Sequence, residues 1–249
     1  MSRTEQIGFS QRVRLEWLEE TARMVMAGNN QTSINTRLQE LLKDKVSIGG
    51  TAERGNREKI ITILMKTWFN PPDRIISLRD DGLELLKRLP EPEHIAIHWG
   101  MVSAVYPFWA AVAGQVGRLL KLQGSAAAPH IQRRIREQYG ERETVARAAR
   151  RVLRAFADWG VLCETGTKGV YGQGLSLVVH DTELVAWLLE AFLSVNPNYT
   201  TQFNELINNT GLFPFILEKN NVSAIISYSK GRLEVIHHGL NDILVLLKI

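Results

Sequence analysis

Apolar side chains recur every three to four positions along the first ninety residues, which is the spacing of amphipathic helices. The spacing predicts four helices joined by short connections, at residues 9–27, 33–45, 57–69 and 73–89. Ser33 is a suitable N-cap for the second helix, and the glycines between residues 47 and 56 predict a flexible loop after it. Residues 1–90 are therefore expected to form a helical bundle, in which we find no catalytic constellation.

A stretch without formal charge follows, from residue 94 to residue 117. About 20 apolar residues can span a bilayer, so a membrane segment is the first alternative. The two histidines, three glycines and many alanines of this stretch suit lipid poorly, and Pro107 would break a helix in its middle. The pattern therefore predicts two buried helices that meet at Pro107, and no membrane span.

Helical spacing continues from the proline in three segments, at residues 107–123, 125–139 and 144–159, with Ser125 as the cap of the second. The third segment spaces its apolar residues by four, three and four positions, which predicts one buried stripe: Val145, Ala149, Val152 and Phe156. Residues 161–165, 170–171 and 175–180 then favour the strands of a hairpin with its turn at residues 166–169.

The net charge of +4 is small, but positive charge is concentrated in the middle third. Residues 91–180 carry 11 basic and 7 acidic side chains, whereas residues 181–249 carry 4 and 7. The basic residues between positions 133 and 154 are all arginine: Arg133, Arg134, Arg136, Arg142, Arg147, Arg150, Arg151 and Arg154. A planar guanidinium with five donors grips phosphate or a guanine edge better than lysine does. The run of arginines favours a surface that binds nucleic acid. The alternative is a pair of solvent-exposed helices whose arginines bind no partner.

The order of helix, helix, turn, helix and hairpin resembles a winged helix-turn-helix domain. The stretch TVARAARRVLRAFADWGVLCETGTKGVY, residues 144–171, is similar to the third helix and the wing of that superfamily, and the resemblance covers residues 107–180. In such domains the third helix enters the major groove of DNA, and the wing contacts the backbone or the minor groove. The resemblance therefore implies a duplex-DNA-binding domain.

Carried onto this chain, the resemblance implies groove contacts by four arginines of the third helix and a wing contact by Lys168. These four are Arg147, Arg150, Arg151 and Arg154. Three further arginines, in the preceding helix and turn, complete the predicted DNA-binding set: Arg133, Arg134 and Arg142. The exposed face of the third helix offers few side chains that read bases other than guanine. We therefore expect affinity for the DNA backbone with weak sequence preference. Gly172 and Gly174 are expected to loosen the second wing strand.

The last third of the chain repeats a similar order of predicted helices and strands, but its net charge is negative. Residues 182–193 and 201–208 predict helices, residues 213–217 form an apolar segment, and residues 224–228 and 233–236 predict a hairpin around Lys230 and Gly231. We expect an α+β unit, similar to a winged helix without its basic face, that binds protein in preference to DNA.

An all-helical N-terminal region followed by a winged helix also resembles the small DNA-binding proteins of bacterial phage-exclusion (BREX) islands. That resemblance implies a component of a phage-defence system or a regulator of transcription. The expected architecture is mainly α, with a helical bundle at residues 1–90, a winged helix-turn-helix domain at 91–180 and an α+β unit at 181–249.

Known catalytic motifs are absent from the sequence, including a phosphate-binding loop, His-Glu-x-x-His, a nucleophile elbow and a cysteine pair for zinc. His94 and His98, with Glu91 or Glu93, are spaced for metal binding, but packing or solvent contact is the expected role. Adjacent His237 and His238 would point to opposite faces of a strand. We expect no enzymatic activity, no cofactor and no metal.

Two alternatives stay open. Scattered carboxylates could assemble a magnesium-dependent nuclease: Asp80, Asp81, Glu91, Glu93, Glu141 and Glu143. The arginine-rich helix could instead bind an acidic protein, which would make the chain an adaptor in a larger assembly.

The single Cys163 allows no disulfide within the chain, and the charged first thirty residues leave no room for a signal peptide, so a cytoplasmic location is expected.

Overall fold

A computed structural model describes residues 7–46, 55–196, 198–218, 222–238 and 242–248. In these ranges the fold is mainly helical, with eleven α-helices and eight short strands. The first half is formed by six helices: α1 (Leu15–Met26), α2 (Gln31–Leu42), α3 (Asn56–Trp68), α4 (Ile76–Arg88), α5 (His94–Val105) and α6 (Pro107–Gln123). Short 3-10 helices precede α4 and α5, at Asp73–Ile75 and Glu91–Glu93.

The four predicted helices of the first ninety residues are confirmed, with changes at their N-terminal ends. Residues 9–13 were expected to be helical, but α1 begins only at Leu15. The cap of α2 is Asn30, whose side chain accepts a hydrogen bond of 2.9 Å from the backbone of Ser33, so Ser33 lies inside the helix and not at its cap. Most of the loop predicted at residues 47–56 lies outside the described residues.

The predicted break of the uncharged stretch at Pro107 is confirmed. Tyr106, with φ −124° and ψ 88°, separates α5 from α6, and Pro107 is the first residue of α6. No single helix in the described ranges is long and apolar enough to cross a membrane, and only the region of α5 and α6 together, bent by 119°, reaches that length and composition. Helix α5 is buried from Ile95 to Val105.

The middle of the chain continues with β1 (Ala126–Ala127), α7 (Ala128–Tyr139), α8 (Glu143–Asp158), β2 (Leu162–Glu164) and β3 (Val170–Gln173). The three strands form an antiparallel sheet in the order β1-β3-β2, in which Ala126 pairs with Tyr171 and Cys163 pairs with Gly172. The prediction that Ser125 caps a helix was wrong, because the two residues before α7 are used as a strand.

The last part contains β4 (Leu177–Val179), α9 (Thr182–Leu193), β5 (Thr200–Gln202), α10 (Phe203–Ile207), β6 (Phe215–Leu217), α11 (Val222–Tyr228), β7 (Leu233–His238) and β8 (Asp242–Leu247). Strands β4 and β6 pair in parallel, and β5-β8-β7 is an antiparallel sheet. The hairpin predicted from residues 224–228 and 233–236 was wrong. The former residues lie in α11, and β7 pairs with β8.

The second wing strand was predicted at residues 170–171 and 175–180, and the prediction for 175–180 was wrong. Residues 177–179 leave the sheet and pair with β6. Gly174 permits this departure. Its backbone donates a hydrogen bond of 3.0 Å to the carbonyl of Val161, and a Cβ atom at Gly174 would lie 2.2 Å from the carbonyl oxygen of Gly160. Only glycine fits so close to another backbone.

The core is centred on α5 and α9, which are mostly apolar and are buried along nearly their whole length. Gly100 lets the two helices approach, since a Cβ there would lie 2.4 Å from the ring of Trp187. Trp99 lies at the centre of an aromatic cluster, with ring centroids 4.8 to 6.0 Å away: Trp109, Phe156, Trp159, Phe213 and Phe215. The cluster joins α5, α6, α8 and the C-terminal region into one core.

Candidate nucleic-acid interface

Helix α8 has one buried face and one charged face. The four residues of the predicted apolar stripe are fully buried, together with most of the alanines beside them: Val145, Ala149, Val152 and Phe156. The buried face packs against α6, α7 and β2. Since these neighbours take up one side of the helix, the other side is free to present its arginines outward.

The structure places the four arginines of α8 on the outer side, at different depths. Arg147, Arg150 and Arg154 are exposed, whereas Arg151 is half-buried. The guanidinium of Arg151 donates a hydrogen bond to the backbone carbonyl of Ser10, in the segment that precedes α1. Arg151 therefore helps to hold the N-terminal segment, a role that its sequence position did not predict.

Ion pairs distinguish the predicted arginines from one another. The Nη2 atom of Arg150 lies 2.7 Å from Glu143, and Arg134 lies 3.2 Å from Glu137. The other arginines outside α8 are also engaged: Arg133 with Glu137 at 3.8 Å, Arg136 with Glu141 at 3.4 Å, and Arg142 with the carbonyl of Tyr139 at 3.1 Å. Arg147 and Arg154 have no ion-pair partner among the residues that the structure describes.

Three guanidinium groups of α8 lie close enough to repel one another. The pKa of Arg151 is lowered, first by its partial burial and then by the positive charges of Arg147 and Arg154. Arginine keeps its proton at physiological pH in spite of such shifts, so the repulsion is not relieved by titration. We refer to Arg147, Arg151 and Arg154 as the arginine cluster. A cluster of like charges with no carboxylate partner favours the approach of an anion.

The predicted wing corresponds to β2, β3 and the turn between them. Its strands pair from Leu162 with Gln173 to Glu164 with Tyr171. The backbone of Val170 donates to the carbonyl of Thr167 at 3.1 Å and closes the turn. Lys168 is exposed at the tip, and no ion pair involves it within the described ranges.

His94 and His98 meet a carboxylate that was not predicted. His94 Nδ1 and His98 Nε2 lie 3.1 and 2.8 Å from the same Oε2 atom of Glu19 on α1, whereas the expected neighbours were Glu91 and Glu93. The pKa of Glu19 is lowered to about 2, chiefly by its hydrogen bond with His98. The three side chains link α1 to α5 inside the bundle.

The carboxylates considered for a nuclease lie in separate places. Asp80 pairs with Arg79 at 2.6 Å, and Asp81 pairs with Lys230 and Arg232. Glu141 and Glu143 hold arginines of α7 and α8. In the part of the chain that the structure describes, no group of three or more His, Cys, Asp or Glu side chains is arranged to hold a metal ion.

Carboxylates of the acidic C-terminal region largely face cations of the same chain. Asp181 and Glu183 bind Arg88 at 2.7 and 2.9 Å. Glu190, only 4% exposed, binds Arg232 at 2.7 Å. Burial raises the pKa of Glu190, an effect that Arg232 opposes. Asp181 and Glu183 therefore join the start of α9 to the end of α4.

Sequence reasoning missed the residues that lie beside the arginine cluster. Asp158, at the end of α8, is bound by Arg12 through both carboxylate oxygens, and the two positions are 146 residues apart. The sequence offered no signal for this contact, because the spacing of four between Phe9 and Val13 also suits a helix.

Comparison with known proteins gives no relative. No protein-family model, no curated protein and no solved structure matches the chain.

Proposed function

We propose that the protein binds double-stranded DNA, without catalysing a reaction, through α8 and the hairpin β2–β3. The observation that carries the proposal is the arginine cluster, three guanidiniums on one helix face that have no carboxylate partner in the described residues. Duplex DNA carries a negative charge about every 1.7 Å along its axis, so it supplies anionic partners for these guanidiniums.

The order of elements supports a winged helix-turn-helix arrangement as the frame for this face. Helices α6, α7 and α8 are followed by the hairpin, and the short strand before α7 adds to the hairpin in the order β1-β3-β2. In such domains the third helix enters the major groove and the wing lies against the backbone. Arg147 and Arg154 then face the groove, and Lys168 faces a phosphate.

The composition of the face favours backbone affinity over base reading. Arginine pairs with guanine in the major groove, but adenine is read by Asn or Gln, which the exposed face of α8 lacks. Weak sequence preference suits a cytoplasmic protein of a bacterial phage-defence system, or a regulator that gains its specificity from a partner.

A salt titration tests the proposal. If five to eight phosphates are neutralised, affinity for a 20-base-pair duplex falls by roughly a thousandfold or more between 50 and 200 mM salt. Fluorescence anisotropy with two duplexes of unrelated sequence measures this slope and the sequence preference together. An affinity that does not change with salt contradicts the proposal, and binding only to an acidic protein would favour the adaptor alternative.

A further inference from the structure

The segment that precedes α1, residues 7–14, has no regular secondary structure and has two different sides. Phe9, Gln11 and Val13 are buried, whereas Arg12 and Arg14 are exposed. Because both arginines are exposed while their neighbours are buried, they lie on the outer side of the segment. The segment therefore presents two positive charges on one side.

Contacts with the proposed DNA-binding unit hold the segment in place. The ring of Phe9 lies 5.4 Å from that of Tyr106 and 4.8 Å from that of Trp109. The indole of Trp159 donates a hydrogen bond of 3.0 Å to the carbonyl of Val13. Anchoring at both ends fixes the outward direction of the arginines before any ligand binds, which lowers the entropy cost of binding.

Arg12 reaches the one carboxylate at the C-terminal end of α8. Asp158 follows Arg147, Arg151 and Arg154 at steps of four, three and four, so it lies on the same face as the arginine cluster. Arg12 binds both of its carboxylate oxygens. Without Arg12, the charge of Asp158 and the negative end of the helix dipole would both repel a phosphate there.

Arg14 is the second cation of the segment and is only loosely held. About half of its side chain is exposed, and its Nη1 atom lies 3.6 Å from Glu16. The guanidinium also lies 5.7 Å from the ring centroid of Trp17. An exposed ion pair of this kind contributes little to stability, so Arg14 can exchange Glu16 for a phosphate without disturbing the fold.

We propose that residues 10–14 form a second element of the DNA interface, in which Arg14 binds a backbone phosphate and Arg12 neutralises Asp158. This inference rests on the proposed function, because it extends the surface of α8 along the same duplex. The partner is the sugar-phosphate backbone beyond the end of α8, and Arg12 acts as a positioning residue through Asp158.

The first test is Arg14→Ala, with Arg37→Ala on α2 as the matched control. Arg37 is similarly exposed and pairs with Glu20 and Glu40, both at 3.7 Å, on a helix that packs against α1 and α3. Loss of one phosphate contact reduces the slope of log affinity against log salt by about 0.9 in Arg14→Ala, whereas Arg37→Ala keeps the wild-type slope. If the wild type binds duplex DNA steeply and both variants match it, the inference is wrong while the proposed function stands. If the wild type does not bind duplex DNA, both are wrong.

The second test is a cycle of Arg12→Ala, Asp158→Asn and the double variant. Arg12→Ala weakens DNA binding because it uncovers the charge of Asp158, Asp158→Asn binds at least as tightly as the wild type, and the double variant regains most of the loss. Melting temperatures provide the structural readout. If both single variants lose thermal stability but bind DNA with wild-type affinity when folded, the pair is only structural and the role of Arg12 is refuted.

Discussion

The indole N–H of Trp68 donates a hydrogen bond of 3.1 Å to Nδ1 of His98. An indole nitrogen only donates, so Nδ1 carries no proton and the proton of the ring is on Nε2. That proton points to Glu19 Oε2, 2.8 Å away. His98, which is fully buried, is therefore neutral in the native structure, and the carboxylate of Glu19 is its acceptor.

The first prediction is a loss of stability in acid. Burial lowers the pKa of His98 from its usual 6.5, so the unfolded chain takes up this proton more readily than the native one. The free energy of unfolding therefore falls as the pH drops below about 6.5. Glu19, whose pKa is lowered to about 2 from 4.5, adds a second loss between pH 4.5 and 2 as it becomes protonated.

Urea denaturation between pH 8 and pH 3 measures these losses. The variant His98→Gln is the control, since it lacks the group that titrates near pH 6.5 but keeps a polar side chain beside Glu19. Equal stability of the wild type at pH 8 and pH 5 would contradict the neutral, buried state of His98.

The second prediction concerns Arg147→Glu combined with Arg154→Glu. Both side chains are exposed and unpaired in the described structure, so each substitution should change the free energy of unfolding by no more than about 0.5 kcal/mol. DNA binding should be lost at 150 mM salt, because each substitution replaces a guanidinium that attracts a phosphate with a carboxylate that repels it. Circular dichroism and anisotropy check the fold and the binding. Retained binding by the folded variant would exclude α8 from the interface.

The third prediction separates Arg151 from its neighbours. Arg151→Ala removes a half-buried hydrogen bond to the carbonyl of Ser10 and should cost about 1 kcal/mol in the free energy of unfolding. Chemical denaturation measures this difference, with Arg147→Ala as the exposed control. Equal stability of the two variants would show that Arg151 does not hold the N-terminal segment.

The fourth prediction concerns the wing. Lys168→Ala should leave stability within about 0.5 kcal/mol of the wild type, because the residue is exposed at the tip of the turn. It should reduce the salt slope by about one unit and weaken binding equally for unrelated sequences. Anisotropy with two duplexes at several salt concentrations measures both effects. A wild-type slope would mean that the hairpin points away from DNA.

The fifth prediction concerns Phe156, which is fully buried against Trp99 and Trp109, with ring centroids 4.8 and 4.6 Å away. Phe156→Ala should cost about 3 to 5 kcal/mol, and Phe156→Leu should cost less because it leaves a smaller cavity. Thermal melts provide the comparison. If Phe156→Ala melts like the wild type, the aromatic cluster does not stabilise the core.

Local periodicity predicted the helices well and the sheets poorly. The stripe of α8 and the bounds of α9, residues 182–193, follow from spacing within a single segment. Strand pairing depends on distant residues: β1 has only two residues, and β4 pairs with β6 across 38 positions. The apolar run of residues 224–228 suits a helix as well as a strand, and only its packing decides between them.

Of the candidate site, only the features that depend on a single helix could be predicted from the sequence. The outward direction of Arg147 and Arg154 follows from their offset from the buried stripe. The contact between Arg12 and Asp158 does not, because nothing local relates residues 146 positions apart. Arg151 was grouped with its neighbours because its partner is a backbone carbonyl, which leaves no trace in the sequence.

The anchoring of residues 9–13 against α6 and the end of α8 has a consequence for synthesis on the ribosome. Val13 finds the indole of Trp159 only after 146 more residues have been added. At about 5 to 20 residues per second, that delay is roughly 7 to 30 s. During that delay the backbone of Val13 lacks its partner, and this part of the nascent segment stays open to chaperones and proteases until Trp159 has emerged.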